Sequence, residues 1–230
     1  ADAFLVGAEA SVRIGMILGS AHYNRGFHQT ATAGAFGATI AAGRLLGLSR
    51  PEMRAALGLC ATRTSGLKSQ FGTMGKPYNA GIAASNGVEC AELARRGFTS
   101  ADDGIFGQQG FVPTHSDAIG NGAADRPPPG TFLFEDVKYK LHTCCHGTHA
   151  MIEALLALPR PVAAEEVRAF RLSTNPRWLK VCDIKRPCTG LEVKFSYNWL
   201  AGMVLSGIGT ADDRAYTDAL AGLPHLVCFA

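Results

Sequence analysis

The sequence predicts a mainly helical protein with an α+β part: an all-helical domain over residues 1–130 and a smaller α+β domain over 131–230. Three observations carry this. Helix start and stop signals bracket small-residue and apolar-periodic stretches through the first hundred residues. Pro127-Pro128-Pro129-Gly130 reads as a stiff linker. Beyond it, Val167–Ser173 alternates apolar with polar residues, the two-residue period of a strand.

Residues 3–19 read as the first helix, with Glu9 and Arg13 on its polar side. Thr30 or Thr32 is a candidate N-cap for a second helix running to Leu46, with Gly47 as its stop. Its face of Gly34, Ala35, Ala38, Ala41 and Ala42 is small, so a neighbouring helix can approach closely. Ser49-Arg50-Pro51-Glu52 is a capping box with proline in the first turn, and the third helix reaches about Arg63. Thr64–Pro77 reads as a loop, Asn79–Arg96 as a fourth helix stopped by Gly97, and Thr99 or Ser100 as the cap of a short helix ending near Gly107. Past the linker, Thr131–Lys140 and Lys180–Ile184 look extended, while Cys145–Leu158, Glu192–Ser206 and Ala211–Ala221 look helical.

Composition excludes several classes of function. The chain is 18% charged and 47% hydrophobic, which opposes disorder, and its net charge of +3 is too small to imply a nucleic-acid partner. The longest apolar run, Ala31–Leu48, is interrupted by Arg44 and is too short and glycine-rich for a membrane span, so no membrane partner is expected. Seven cysteines follow no disulfide framework, and residues 1–20 carry Asp2, Glu9 and Arg13 without a cleavage signature. A reducing, cytoplasmic setting with free thiols is expected.

Reactive side chains concentrate between Lys138 and His149: Lys138, Tyr139, Lys140, His142, Cys144, Cys145, His146 and His149. Cys145, His146 and His149 share a helical face and could supply three zinc ligands, yet no second knuckle follows at zinc-finger spacing. The same residues could instead pack a junction, or act in catalysis or anion binding without metal. Lys76 stands among glycines just before a helix, where backbone N–H groups and an ammonium could cradle a carboxylate or phosphate. Pro77 follows it, so the phosphate-loop pattern is absent, and an ordinary solvated lysine is the alternative. His28 precedes a helix N-terminus, which favours a neutral imidazole able to accept a proton; the alternative is a structural cap neighbour.

Gly26–Ser49, Phe71–Phe98 and Val137–His149, with Thr189–Ser196 as a fourth segment, together resemble the MmgE/PrpD family, whose members include 2-methylcitrate dehydratase, cis-aconitate decarboxylase and iminodisuccinate epimerase. The resemblance covers nearly the whole chain in the right order. It implies an enzyme without metal or organic cofactor, a homodimer, with a large helical domain and a smaller α+β lid around a cleft that takes a small di- or tricarboxylate. The function it implies is a 2-methylcitrate dehydratase-like lyase, with iminodisuccinate-type epimerisation or cis-aconitate-type decarboxylation as alternatives.

Carried over by position, His28, Lys76 and Lys140 are the implied catalytic residues, and Asn79, Cys145, His149 and Trp199 the implied substrate-binding residues. Cys145 falls where some members place histidine. Two positions depart from the pattern. Asn79 stands where the family usually has histidine, and Trp199 where the decarboxylase and many dehydratases have tyrosine. An indole N–H donates a hydrogen bond but delivers no proton at neutral pH. The family's first helices would precede residue 1 and its lid would extend past residue 230, so the lid is expected to be incomplete. A non-catalytic relative or fragment that binds a carboxylate or a partner chain is the reading from another class.

Overall fold

The computed structural model describes residues 1–117, 130–163 and 166–223. They fall into two compact units, one of Ala1–Gln70 with Gly75–Val137, the other of Phe71–Met74 with Lys138–Ala230. The Pro127–Pro129 linker lies outside the described residues.

The first unit is built on α1 (Asp2–Arg25), α2 (Gln29–Leu45), α3 (Arg50–Arg63), α4 (Gly75–Arg95) and the short α5 (Phe111–His115). Glycine accounts for the bend in α1: Gly19 sits at φ 61°, ψ −166°, so the predicted end at residue 19 is a kink and the helix resumes to Arg25. Helix α2 packs on both α1 and α4. Its small residues permit this, since Gly37 meets the backbone of Gly7 in α1, and Gly87 of α4 meets Ala38. Leu18, Phe36, Cys60, Cys90, Phe111 and Val112 form much of the core between the helices. By length and composition α1 is apolar enough to cross a bilayer. It also holds a buried glutamate, Glu9, which pairs with Arg13 at 2.6 Å and accepts from Phe134 N–H at 2.9 Å.

Ser49 and Glu52 form the predicted reciprocal box, with Pro51 in the first turn of α3. Helix α2 is entered differently from the prediction. His28 occupies the N-cap position and neither Thr30 nor Thr32 caps. Thr32 is drawn inward, where its hydroxyl lies 2.9 Å from His22 Nε2. The predicted helix ending near Gly107 is a run of turns instead. The Asp103 carboxylate accepts from Phe106 N–H at 2.9 Å, and glycines at 104, 107 and 110 withhold the side chains that would bias the segment to helix.

The second unit contains α6 (His149–Leu156), α7 (Pro176–Cys182), α8 (Gly190–Val193), α9 (Tyr197–Leu205) and α10 (Asp218–Ala221). Ile152, Cys182, Val193, Leu200 and Met203 are its buried centre. The α+β expectation is corrected here. Among the described residues there is no extended strand ladder, only the isolated bridges Phe27↔Leu67 and Asp183↔Ser196. Residues 131–140 contain a 3-10 turn at Leu133–Asp136, and 180–184 overlaps α7, started by the Asn175 cap and Pro176. The stretch 167–173 is irregular, with Phe170 and Leu172 packed against the core. Alternation records which side chains are buried; a strand also needs a neighbour to take its backbone hydrogen bonds. The predicted helix over 192–206 is interrupted at Lys194–Ser196, because the Ser196 hydroxyl accepts from Trp199 N–H and opens a new helix there.

Candidate active site

In the first unit a short crossing of two chain segments fixes the position of His28. His28 N–H donates to the Gly66 carbonyl at 2.9 Å, and Lys68 N–H donates to the Gly26 carbonyl at 2.8 Å. Gly66 makes the crossing possible. Its φ of +148° is poorly open to side chains, and a Cβ there would stand 2.3 Å from Ala31 Cβ. The Asn79 side chain, on α4, then reaches both segments. Its amide nitrogen lies 3.1 Å from His28 Nδ1 and 3.2 Å from the Leu67 carbonyl oxygen. Both His28 and Asn79 are buried. Helix α4 begins at Gly75, earlier than the predicted Asn79, so Lys76 lies in its first turn and is half-buried. The sequence-predicted residues His28, Lys76 and Asn79 therefore belong to one neighbourhood.

Burial, reinforced by the positive charge of Lys76, lowers the His28 pKa from 6.5 to about 4. Burial also lowers the pKa of His22, whose ring stacks on Phe27 at 4.5 Å between centroids. A histidine with a folded-state pKa below its unfolded value loses stability in acid, because the unfolded chain takes up the proton first. For His28 that stability is complete above pH 6.5 and is lost as pH falls toward 4. Urea midpoints are therefore expected to drop between pH 7 and pH 4.5, and to drop less in His28→Gln. An equal pH slope in both proteins would contradict the assignment.

The second unit gathers the other cluster. Lys140 Nζ donates to the Cys144 carbonyl at 3.1 Å, at the turn leading into α6. His146 and His149 stack with centroids 4.9 Å apart, and His142 meets His149 edge-on at 5.0 Å. His142 Nε2 lies 2.7 Å from Glu153 Oε1, and Thr210 Oγ1 lies 2.7 Å from His142 Nδ1. Burial lowers the His149 pKa, aided by the charges of His142, His146 and Lys140. His149 Nε2 and Trp199 Nε1 are buried and have no hydrogen-bond partner among the described residues. Such groups suit a polar ligand, since an unsatisfied buried donor or acceptor costs about 1–3 kcal/mol. Cys145 hydrogen-bonds Cys182, which together with burial pushes the Cys182 thiol upward, so Cys182 stays protonated.

Glu153 and Thr210 were not visible as site residues in the sequence. Thr210 reads there as the opening of a helix, but its hydroxyl serves His142, and Asp212 caps the following turn. The described residues contain no group of three or more His, Cys, Asp or Glu side chains placed to hold a metal ion. The zinc arrangement considered for Cys145, His146 and His149 is therefore not formed among them. Each unit holds an imidazole whose pKa is lowered in the field of an ammonium group, His28 with Lys76 and His149 with Lys140, an arrangement suited to holding a carboxylate and stabilising negative charge that develops next to it.

The MmgE/PrpD N-terminal domain model matches residues 1–120. The chain is 36% identical over 173 residues to a cis-aconitate decarboxylase of Aspergillus terreus, covering 69% of this chain and 34% of that protein. It is 32% identical over 169 residues to the cis-aconitate decarboxylase-like protein oryM of Aspergillus oryzae, covering 69% of this chain and 35% of that protein. A human cis-aconitate decarboxylase matches at 32% identity over 85 residues, 37% of this chain and 18% of the relative. The matched part thus spans about a third of the length of the Aspergillus relatives. With the family model covering more than half of its residues, the chain belongs to the MmgE/PrpD family.

Proposed function

We propose that the chain acts as a cofactor-free lyase on a small di- or tricarboxylic acid. The observation that carries this is the neighbourhood of His28, Lys76 and Asn79, an uncharged buried imidazole within the field of an ammonium group. Lyase chemistry beside a carboxylate places an electron pair on carbon, and the pair spreads onto the adjoining carboxylate as an enolate. Lys76 supplies positive charge for that intermediate and His28 handles the proton, while Lys140, in the second unit, is assigned to the same reaction from the resemblance alone. In the second unit Cys145, His149 and Trp199 are the proposed substrate-binding residues, the last two through ring nitrogens that the described protein groups leave unsatisfied.

The names of the relatives favour carbon dioxide as the leaving group from a cis-aconitate-like acid. In that reaction the bond to one carboxylate breaks, its electron pair stays on the substrate, and a proton is added to carbon. Dehydration in the manner of 2-methylcitrate dehydratase follows the same logic, with a proton leaving carbon and a β-hydroxyl leaving as water. Trp199 favours epimerisation as the second reading, because indole delivers no proton at neutral pH. All six described free cysteines are unbridged, which supports a cytoplasmic setting. A homodimer is part of the proposal.

The test is proton NMR in deuterated water with cis-aconitate, 2-methylcitrate and iminodisuccinate in turn. Loss of a carboxylate, loss of water or deuterium exchange at a carbon beside a carboxylate supports the proposal. No change with any of the three defeats it. Lys140→Ala is expected to lower turnover about 10²–10³-fold, the usual loss for removing one preorganised charge-stabilising group. Its thermal midpoint should stay close to the parent's, since Lys140 is exposed. Turnover within a few-fold of the parent would remove Lys140 from the mechanism.

A further inference from the structure

We infer that Asn79 is a positioning residue that holds His28 as a neutral imidazole with its proton on Nε2, so that Nε2–H is the group the ring offers as a donor. Leu67 O has no hydrogen to give, so the end of the Asn79 amide that faces it, at 3.2 Å, must be the NH2 group. The same nitrogen lies 3.1 Å from His28 Nδ1. One amide hydrogen is directed to Leu67 and the other to the imidazole. His28 Nδ1 therefore accepts, and a neutral ring with an accepting Nδ1 carries its hydrogen on Nε2. Placing a second proton on Nδ1 would set two donors against each other inside a buried pocket.

His22 provides a contrast within the same unit. Its Nδ1 lies 3.0 Å from the His115 carbonyl oxygen and must donate, so Nε2 accepts from the Thr32 hydroxyl at 2.9 Å. Two buried histidines six residues apart thus hold opposite tautomers, each set by one carbonyl oxygen. A charge-neutral Nε2–H beside Lys76 is suited to a carboxylate or enolate oxygen of the substrate. Donation adds no net charge and needs no prior protonation of the ring.

The role in turnover rests on the lyase reading above, but the tautomer does not. The experiment is long-range proton–nitrogen correlation NMR at pH 7 on the full chain labelled with 15N-histidine, with His28 assigned by loss of its signals in His28→Gln. The expected result is a protonated Nε2 and an unprotonated Nδ1 for His28, with the reverse pattern for His22. A His28 ring protonated on Nδ1, or on both nitrogens, overturns the inference. Asn79→Ala removes the donor and is expected to move His28 toward a mixture of tautomers. An unchanged Nε2–H signal in that folded variant would overturn the positioning role of Asn79. With an active substrate, Asn79→Ala should lower kcat more than it raises KM. Absence of turnover on every acid tested, with the tautomer as expected, would count against the lyase reading alone.

Discussion

His28→Ala is expected to reduce turnover by roughly 10²–10⁴-fold, the range for losing a positioned proton-handling group. That range corresponds to about 3–5 kcal/mol of transition-state stabilisation. The size follows from how completely the environment is built around this ring. His28 is buried, its backbone N–H is fixed by the Gly66 carbonyl, and its Nδ1 takes a hydrogen from Asn79. Alanine removes the ring and leaves one Asn79 hydrogen unpaired. The protein should still fold, because His28 lies outside the apolar cluster formed by Phe36, Phe111 and their neighbours. Two further substitutions separate the possible roles. The amide nitrogen of glutamine falls near the position of imidazole Nε2, whereas that of asparagine falls nearer Nδ1. If His28 acts only by donating from Nε2, His28→Gln should retain more activity than His28→Asn or His28→Ala. Equal losses in all three, measured as kcat at saturating substrate, would show that His28 acts by carrying the proton and not by donation from Nε2 alone.

The helical domain was legible because its signals are local. Ser49, Pro51 and Glu52 announce α3 within four residues, and Gly47 and Gly97 take the left-handed conformations expected past helix ends. The second unit was legible only in part. Its helices are short, and the apolar alternation at 167–173 reports burial without a partner strand. The candidate site residues divide in the same manner. His28, Lys76 and Lys140 were marked by the resemblance and by local motifs. Glu153 and Thr210 join His142 from 11 and 68 residues away, and no local spacing signals contacts of that kind. The direction of the Asn79 amide was likewise invisible, since it is set by the carbonyl of Leu67, twelve residues earlier.

Gly37→Val is expected to be the most damaging single change to the first unit, lowering its stability by about 3 kcal/mol, the upper part of the range for overpacking a close contact. The reason is the identity of the obstructing atoms. A Cβ on Gly37 would lie 1.9 Å from Ser11 Oγ and 2.3 Å from the Gly7 carbonyl oxygen. The serine hydroxyl can rotate away, but the Gly7 carbonyl is part of α1 and moves only if the helix moves. Gly7 has the matching constraint, with a Cβ there 2.6 Å from the Gly37 carbonyl oxygen. The two helices therefore touch backbone to backbone, and any side chain at either glycine must separate them. Separation would also loosen Leu18 and Phe36, both fully buried. Gly81 supplies the comparison: it lies within α4, and a Cβ there meets nothing within 4 Å. Gly81→Ala should stabilise by about 0.5–1 kcal/mol through the lower backbone entropy of the unfolded chain. Urea midpoints should thus move in opposite directions for Gly37→Val and Gly81→Ala. If Gly37→Val shifted the midpoint no more than a surface substitution, the backbone contact between α1 and α2 would not exist in solution, and the placement of His28 at the start of α2 would lose its support.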